Sequence, residues 1–327
     1  MKNNFIIKRI NSPFEDSAFF VRNVYKKSGF LIDCGRIGNI SNSELLSITD
    51  VFVSHTHIDH FYGFDRLLRG FIRADKRIRF FGPPGFINNV KGKLAAYTWN
   101  LIKSYTLVIE VWELFNDRIN IAIFDSKNAF APHEHTIERS SIDLSDGFTL
   151  EYEFFDHGTT SVGYRIKEPI HINIKKGAME TFGYKKGPWL TELKNNLREK
   201  NRLVKINVET KSGVVQKDIS ELEDELVIYS PPQDITYITD VAPTFENYKK
   251  ALDFAADSHI LFIEAMFLKE DILHAIDKKH LTLDMAKSIF MMTGSHYVHF
   301  FHFAPKYEQS KSLFFGRLYE EIENRII

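Results

Sequence analysis

The sequence predicts an α/β fold in which two β-sheets pack face to face and helices cover both outer faces. Three observations predict it. Short runs rich in Phe, Ile, Leu and Val, bounded by Gly, Pro, Asn or Ser, occur in both halves of the 327-residue chain. Helical patterns are interleaved with them in both halves. An apolar content of 44% supplies enough core for one large domain or two smaller ones.

Along the chain, FIIKRI, SAFFVRN and GFLIDCG read as strands, each short, apolar and closed by turn formers. DVFVSHTH follows as a strand whose end runs into a histidine cluster. Ile58 to Ile72 carries Phe61, Phe64, Leu67, Leu68 and Phe71, the spacing of an amphipathic helix. RIRFFGPPG is a strand stopped by Gly82-Pro83-Pro84-Gly85, and FINNVKGKLAAYTWNLI is a further helix. Between 107 and 166 the strands LVIEVWEL, RINIAIF, FTLEYEFF and VGYRI return. After 226 strands (LVIYS, ITYITD, HILFIEA, YVHFFHF) alternate with helices (FENYKKALDFAA, TLDMAKSIFMMTG, SLFFGRLYEEIENR). The 29 phenylalanines read as core, and no internal repeat or low-complexity tract is present.

Composition excludes several classes. The net charge of −1 gives no global basic field, so attraction to a polyanion must be local. The single cysteine, Cys34, excludes an internal disulfide and a thiolate-rich zinc site, and reads as a small core residue in a reducing compartment. The N-terminal apolar run is too short for a signal peptide, and no stretch reaches the ~18 apolar residues of a membrane helix. The expected location is the cytoplasm. One segment departs from this balance. His171 to Lys205 holds nine Lys/Arg against three Asp/Glu, with Gly177, Gly183 and Gly187-Pro188. It reads either as a solvated helical hairpin or as a protruding arm that touches phosphates, with Tyr184 and Trp189 available to stack on bases.

The densest chemistry lies in SHTHIDHFYG, Ser54 to Gly63. His55, His57, Asp59 and His60 form H-x-H-x-D-H directly after a strand, where side chains at these spacings converge. Imidazole and carboxylate are the usual ligands of Zn²⁺ and similar ions. Burying three imidazoles and a carboxylate together without a metal is costly. Two pairs suit two metals, His55 with His57 and Asp59 with His60. Further ligands are available at other strand ends: His157 in FFDHGTT, Asp240 in TYITDVA and His302 in FFHFAPKY.

In this order the motifs resemble the metallo-β-lactamase fold superfamily, a four-layer αββα sandwich, with FLIDCG as its first motif and Asp33 in a structural role. Over roughly residues 30–310 the stretches FFGPPG, DHGTTSVGYRIKE, KKGPWLTELK, FIEAMF followed by HLT, and FFHFAPKY are similar to ribonuclease Z, the tRNA 3′-processing endonuclease. The resemblance implies a single domain over 1–327 with an inserted arm at 168–217. It implies RNA binding at the arm tip by Lys185, Lys186, Gly187 and Pro188. It makes His55, His57 and His157 ligands of one metal, Asp59, His60 and His302 ligands of the other, and Asp240 the bridge. Asp59 would also orient or deprotonate the attacking water, and Glu264 with His280 would assist the leaving group. The implied cofactors are two divalent ions, zinc first, with Mn²⁺ or Fe also suited to such ligands. The implied partners are a tRNA precursor and a second copy of the chain.

The chemistry is coherent on its own terms. Two cations lower the pKa of water and neutralise a phosphodiester as it becomes five-coordinate. The leaving 3′-oxygen needs a proton, and a general acid such as His280, polarised by Glu264, is worth ~10²–10⁴-fold. The products are a 3′-hydroxyl and a 5′-phosphate. Two other readings compete: a hydrolase of the same fold acting on a small phosphodiester or ester, and a non-catalytic RNA-binding relative. The remaining histidines carry no such pattern. His133 and His135 have the H-x-H spacing but no Asp-His after it. His296 and His299 precede His302 without its context, and His171, His259 and His274 stand alone.

Overall fold

The structure, a computed structural model, describes residues 4–139, 141–320 and 322–327. Residues 1–3 of the N-terminal stretch and Glu321, inside the helix expected at 312–325, lie outside the described residues. The chain forms two compact units, one from residues before Glu168 and after Pro232, the other from Glu168–Pro232.

The first unit holds two sheets. One has eight strands in sequential order: Phe5–Arg9, Phe19–Asn23, Gly29–Ile32, Ile48–Phe52, Arg77–Gly82, Val108–Leu114, Arg118–Asp125 and Pro132–Glu138. The other has six, ordered Tyr297–Phe301, Ile260–Glu264, Asp234–Ile238, Thr160–Lys167, Thr149–Asp156 and Ile142–Asp143. Alternation of side chains across a strand explains the layering. Phe52, Phe81, Ile260 and Phe262 point into a core shared by the two sheets. Their neighbours Val51, Val53 and Phe80 pack outward under helices Phe64–Phe71 and Phe86–Ala95. Leu261 and Ile263 do the same under helices Phe245–Phe254 and Leu283–Thr293. Three hydrophobic layers thus separate four layers of secondary structure, as the αββα expectation requires.

The middle of each sheet is parallel: Gly29–Ile32 to Val108–Leu114 in one, and Asp234–Ile238, Ile260–Glu264 and Tyr297–Phe301 in the other. Parallel strands send their carboxyl ends the same way, and loops at such ends carry ligands in open α/β sheets. Asp33, the cluster His55–His60, Asp240 and His302 all leave strands at these ends.

Several elements differ from expectation. The helix expected at 58–72 is broken into Ile58–Phe61 and Phe64–Phe71. Gly63 causes the break: its N–H donates to the Cys34 carbonyl at 2.7 Å, and a Cβ there would meet the Cys34 and Gly35 carbonyl oxygens at 2.4 and 2.5 Å. The helix expected at 86–102 stops at Ala95, where the Trp99 indole folds back to donate to the Leu94 carbonyl at 2.8 Å and so satisfies a helix-end acceptor. Pro132–Glu138, read from sequence only for its histidines, is an edge strand with His133 and His135 exposed. Its polar sequence hides it, because an edge strand buries little.

The second unit is not a helical hairpin. Strands His171–Ile174 and Val227–Ser230 pair at its base, Lys205–Thr210 and Gly213–Asp218 form a β-hairpin, and helices Trp189–Arg198 and Ile219–Leu226 pack with them. Its own core includes Tyr184, Trp189, Leu193, Ile206, Val208 and Leu222. Trp189 is 4% exposed and Tyr184 9%, so both are structural here and neither is free to stack on a base as the sequence had suggested. Phe182, 43% exposed and stacked on Tyr184, is the aromatic that faces outward. The folded unit extends to Pro232, past the expected limit at 217, because helix Ile219–Leu226 supplies part of that core. That helix also brings Glu221, Glu223, Asp224 and Glu225, so the whole unit carries eleven Lys/Arg against ten Asp/Glu. Arg202 pairs with Glu223 at 2.7 Å, while Lys185 and Lys186 stay exposed at the turn that leads through Gly187 and Pro188 into helix Trp189–Arg198.

Candidate metal centre

The loop after strand Ile48–Phe52 is set by Asp33. Its carboxylate accepts from the Ser54 backbone N–H at 2.7 Å, the Ser54 hydroxyl at 3.0 Å, His60 Nδ1 at 2.7 Å and the Tyr237 hydroxyl at 2.6 Å. A carboxylate only accepts, so His60 carries its proton on Nδ1 and turns Nε2 inward. The Ser54 proton is committed to Asp33, so Ser54 Oγ receives His55 Nδ1–H at 3.1 Å and His55 Nε2 also turns inward. His157 is fixed likewise, Nδ1 donating to the Lys279 carbonyl at 2.8 Å. Asp33, Asp240 and His302 have φ of 53°, 52° and 60°, a left-handed backbone that costs about 1–3 kcal/mol each for non-glycine residues. Such strain gathers at sites that need an unusual side-chain direction.

The seven expected ligands come together. Asp240 Oδ2 lies 3.4 Å from His55 Nε2 and 3.3 Å from His157 Nε2. Asp240 Oδ1 lies 3.4 Å from His60 Nε2 and 3.3 Å from His302 Nδ1. Asp59 Oδ2 stands 3.4 Å from His60 Nε2 and 3.5 Å from His302 Nε2. Ligand atoms within 4.8 Å of one another group as His55, His57, His157 with Asp240, and as Asp59, His60 with His302. Asp240, Glu264, His280 and His302 form a third such group. All are buried except His57, which is exposed, and Asp59, which is half-buried.

The donor set fits metal ions. Among the described residues His55 Nε2, His60 Nε2 and His302 Nδ1 are buried with no hydrogen-bond partner, although carboxylate oxygens stand within 3.5 Å. Orphaned buried nitrogens cost about 1–3 kcal/mol each unless something else takes their lone pairs. The electrostatics say the same. Burial alone would depress the His302 imidazole, but Asp240, Asp59 and Glu264 hold it up at about 10. Burial is likewise outweighed at His60, where Asp240 and Asp33 hold the ring well above its usual range. Burial and the neighbouring His60 push His55 down to about 2. The carboxylates of Asp59, Asp240 and Glu264 are held low by these imidazoles in spite of burial. The pocket therefore draws positive charge to its middle, between nitrogen and oxygen donors.

Glu264 and His280 form a second device. Glu264 is fully buried, one oxygen accepting from the Val241 N–H at 2.6 Å and the other from His280 Nδ1 at 2.7 Å. The His280 ring lies 4.7 Å from that of His157 and 5.3 Å from that of His302, so it faces the centre and not bulk water. Three contributors escaped the sequence reading: Ser54, Tyr237 and the Lys279 carbonyl. The only signal for Ser54 was its place beside His55. Tyr237 and Asp33 are 204 residues apart, and no local pattern joins them.

The other histidines stand apart from this centre. His171 pairs with Glu168 at 2.7 Å, His274 stacks on Phe267, and His299 packs on Phe262. Cys34 is fully buried, and burial pushes its thiol up, in keeping with a core residue.

No protein-family model matches the chain. Ribonuclease Z of Deinococcus radiodurans is 22% identical over 309 residues, 92% of this chain and 90% of that protein. Ribonuclease Z of Nanoarchaeum equitans is 25% identical over 306 residues, 91% of this chain and 81% of that protein. Among solved structures, the metallo-β-lactamase fold protein YhfI from Bacillus subtilis superposes with a TM-score of 0.52 at 11% identity, covering 92% of this chain and 87% of that one. Human tRNase Z, short form, does so with a TM-score of 0.50 at 15% identity, covering 90% and 87%. No helix among the described residues is long and apolar enough to cross a membrane. The chain has the metallo-β-lactamase fold, and it resembles ribonuclease Z along nine-tenths of its length.

Proposed function

We propose that this chain is a metal-dependent endoribonuclease that cuts tRNA precursors at their 3′ end, leaving a 3′-hydroxyl and a 5′-phosphate. The observation that carries the reading is Asp240, whose two oxygens face two separate sets of imidazoles. In this reading His55, His57 and His157 would hold one divalent ion and Asp59, His60 and His302 a second, with Asp240 available to both. Zinc suits these ligands best. Two such ions would make water more acidic and neutralise charge on the phosphodiester. Asp59, the half-exposed carboxylate, orients that water and receives its proton. As the bond from phosphorus to the 3′-oxygen breaks, His280 gives that oxygen a proton from Nε2. Glu264 accepts from Nδ1–H, which fixes the ring with Nε2 toward the centre. The Glu168–Pro232 unit, with Lys185, Lys186, Gly187 and Pro188 at an exposed turn, supplies further contacts to the RNA. The enzyme works as a homodimer in the cytoplasm, the buried single Cys34 suiting a reducing compartment. The ribonuclease Z relatives support RNA as the substrate class.

The test is cleavage of a 3′-extended tRNA precursor with Zn²⁺ or Mn²⁺, with both product ends mapped and the mass in solution measured. A single cut leaving a 3′-hydroxyl, by a protein of twice the chain mass, is expected. A preparation that holds two metals and hydrolyses a small phosphodiester but leaves the precursor whole would move the substrate away from tRNA.

A further inference from the structure

We propose that Lys279 is an RNA-binding residue whose ammonium holds the phosphate next to the one that is cut; the proposal rests on the nuclease reading above. Lys279 closes helix Ile272–Lys278 in a left-handed conformation, φ 60°, with its carbonyl turned to His157 Nδ1. Its side chain returns over Gly158. A Cβ on Gly158 would lie 2.3 Å from Lys279 Nζ and 3.1 Å from Cδ and Cε. Gly158 itself has φ 76°, so a glycine is needed there for the backbone and also to leave room for the ammonium. The lysine therefore has a seat, yet it has no carboxylate within ion-pair distance among the described residues. Its neighbour Lys278 does pair, with Asp277 at 3.3 Å.

The position of this charge gives it a use. Lys279 immediately precedes His280 in the chain, and its Nζ rests on the residue that follows His157. The rings of these two histidines are 4.7 Å apart and both face the metal centre. The cation thus sits at the rim of the centre on the side where His280 gives up its proton. Two longer helices add to it. Phe245–Phe254 and Leu283–Thr293 begin behind the caps Thr244 and Thr282, so their positive N-terminal ends follow shortly after Asp240 and His280 in the chain. A small ester has one phosphorus to place. A polynucleotide brings a second phosphate along with the first, and an exposed, seated, unpaired ammonium is the complement of that second charge.

The test compares the full-length wild type with K279M, K279R and K127M. Met and Arg keep the Cβ and the carbonyl, so the backbone and the bond to His157 are unchanged. Lys127 lies at the opposite end of the sheet, beside Asp125, and serves as the control. Cleavage of the tRNA precursor is followed over a range of salt, with metal content as a check on folding. K279M is expected to lower kcat/KM by about tenfold, the loss of one charged hydrogen bond. It is also expected to flatten the dependence of log kcat/KM on log salt by about one unit, the signature of one lost phosphate contact. K279R should restore both, and K127M should match wild type. A K279M slope equal to wild type, or a K279R as impaired as K279M, would overturn the proposal. Wild type that hydrolyses a small phosphodiester but does not cut the precursor counts against the nuclease reading alone. Lys279 is then tested through the salt dependence of inhibition by single-stranded RNA, where an unchanged K279M slope again overturns it.

Discussion

At the scale of single residues, metal ligands and proton donors separate by what their loss removes. The His57 ring lies 4.3 Å from that of His55 and 5.4 Å from that of His157, and its ligand atom groups with Asp240. His57→Ala should lower metal content and activity together, and a variant with full activity would contradict its place in the set. His280 is engaged by Glu264 and faces the same centre. His280→Ala should keep its metals and lose about 10²–10⁴-fold in kcat, the worth of a general acid. If elemental analysis of that variant showed a metal missing, the group Asp240, Glu264, His280 and His302 would be a third set of ligands and not a proton relay. The charges also make a prediction for the chelated protein. His302, held at about 10, binds a proton in the folded state that the unfolded chain releases near 6.5. That stabilisation is full below about 6.5 and is lost as pH rises through about 10. His55, pushed to about 2, acts in the other window and withdraws stability as pH falls below about 6.5. The metal-free protein should melt highest near pH 6.5. Added Zn²⁺ should raise the melting temperature most on the alkaline side, where it replaces protons already lost. A metal-free melting temperature that climbs steadily with pH would refute this balance.

At the scale of elements, close backbone approach decides how the metal loop is held. Gly35 is the clearest case. A Cβ there would lie 1.9 Å from the Asp59 backbone oxygen, and backbone cannot move aside as a long side chain can. Gly35→Ala should destabilise the fold by about 1–3 kcal/mol and loosen the second metal set, since Asp59 and His60 ride on the displaced segment. Thermal unfolding and metal retention after dialysis would check it, and an unchanged metal content would place the loop's rigidity elsewhere. The same contact shows what a sequence can reveal. H-x-H-x-D-H is local and legible by itself, whereas the strand ends bearing Asp240 and His302 are weak signals one by one and gain weight from the order of motifs that resembles ribonuclease Z. The break at Gly63 was not legible, because it depends on carbonyls of Cys34 and Gly35, far along the chain. Strand Pro132–Glu138 was missed for a different reason: it is exposed at an edge, and strand patterns mark burial.

At the scale of the molecule, the second unit is an insertion between two neighbouring strands. Strands Thr160–Lys167 and Asp234–Ile238 are antiparallel neighbours, with Lys167 directly opposite Asp234. The segment between them leaves and re-enters the sheet where a two-residue turn would otherwise stand. Basic composition in the sequence marked this segment as separate, but its true limits depend on a core that joins Trp189 and Leu193 to Leu222 and Leu226. A deletion of roughly 175–205 would therefore strip Ile206, Val208 and Leu222 of their cover and confuse misfolding with loss of binding. Replacing Glu168–Gln233 by Asn-Gly avoids this, since Asn-Gly adopts the turn that matches strand twist. The shortened protein should bind metal and hydrolyse a small phosphodiester at a rate near that of the intact chain, because the seven proposed ligands, Glu264 and His280 all lie in the first unit. Its kcat/KM for a tRNA precursor should fall by orders of magnitude if the unit contributes the remote RNA contacts. Equal loss of both activities would show that the unit supports the site and not the substrate, whereas full retention of precursor cleavage would leave recognition to the rim of the metal centre alone.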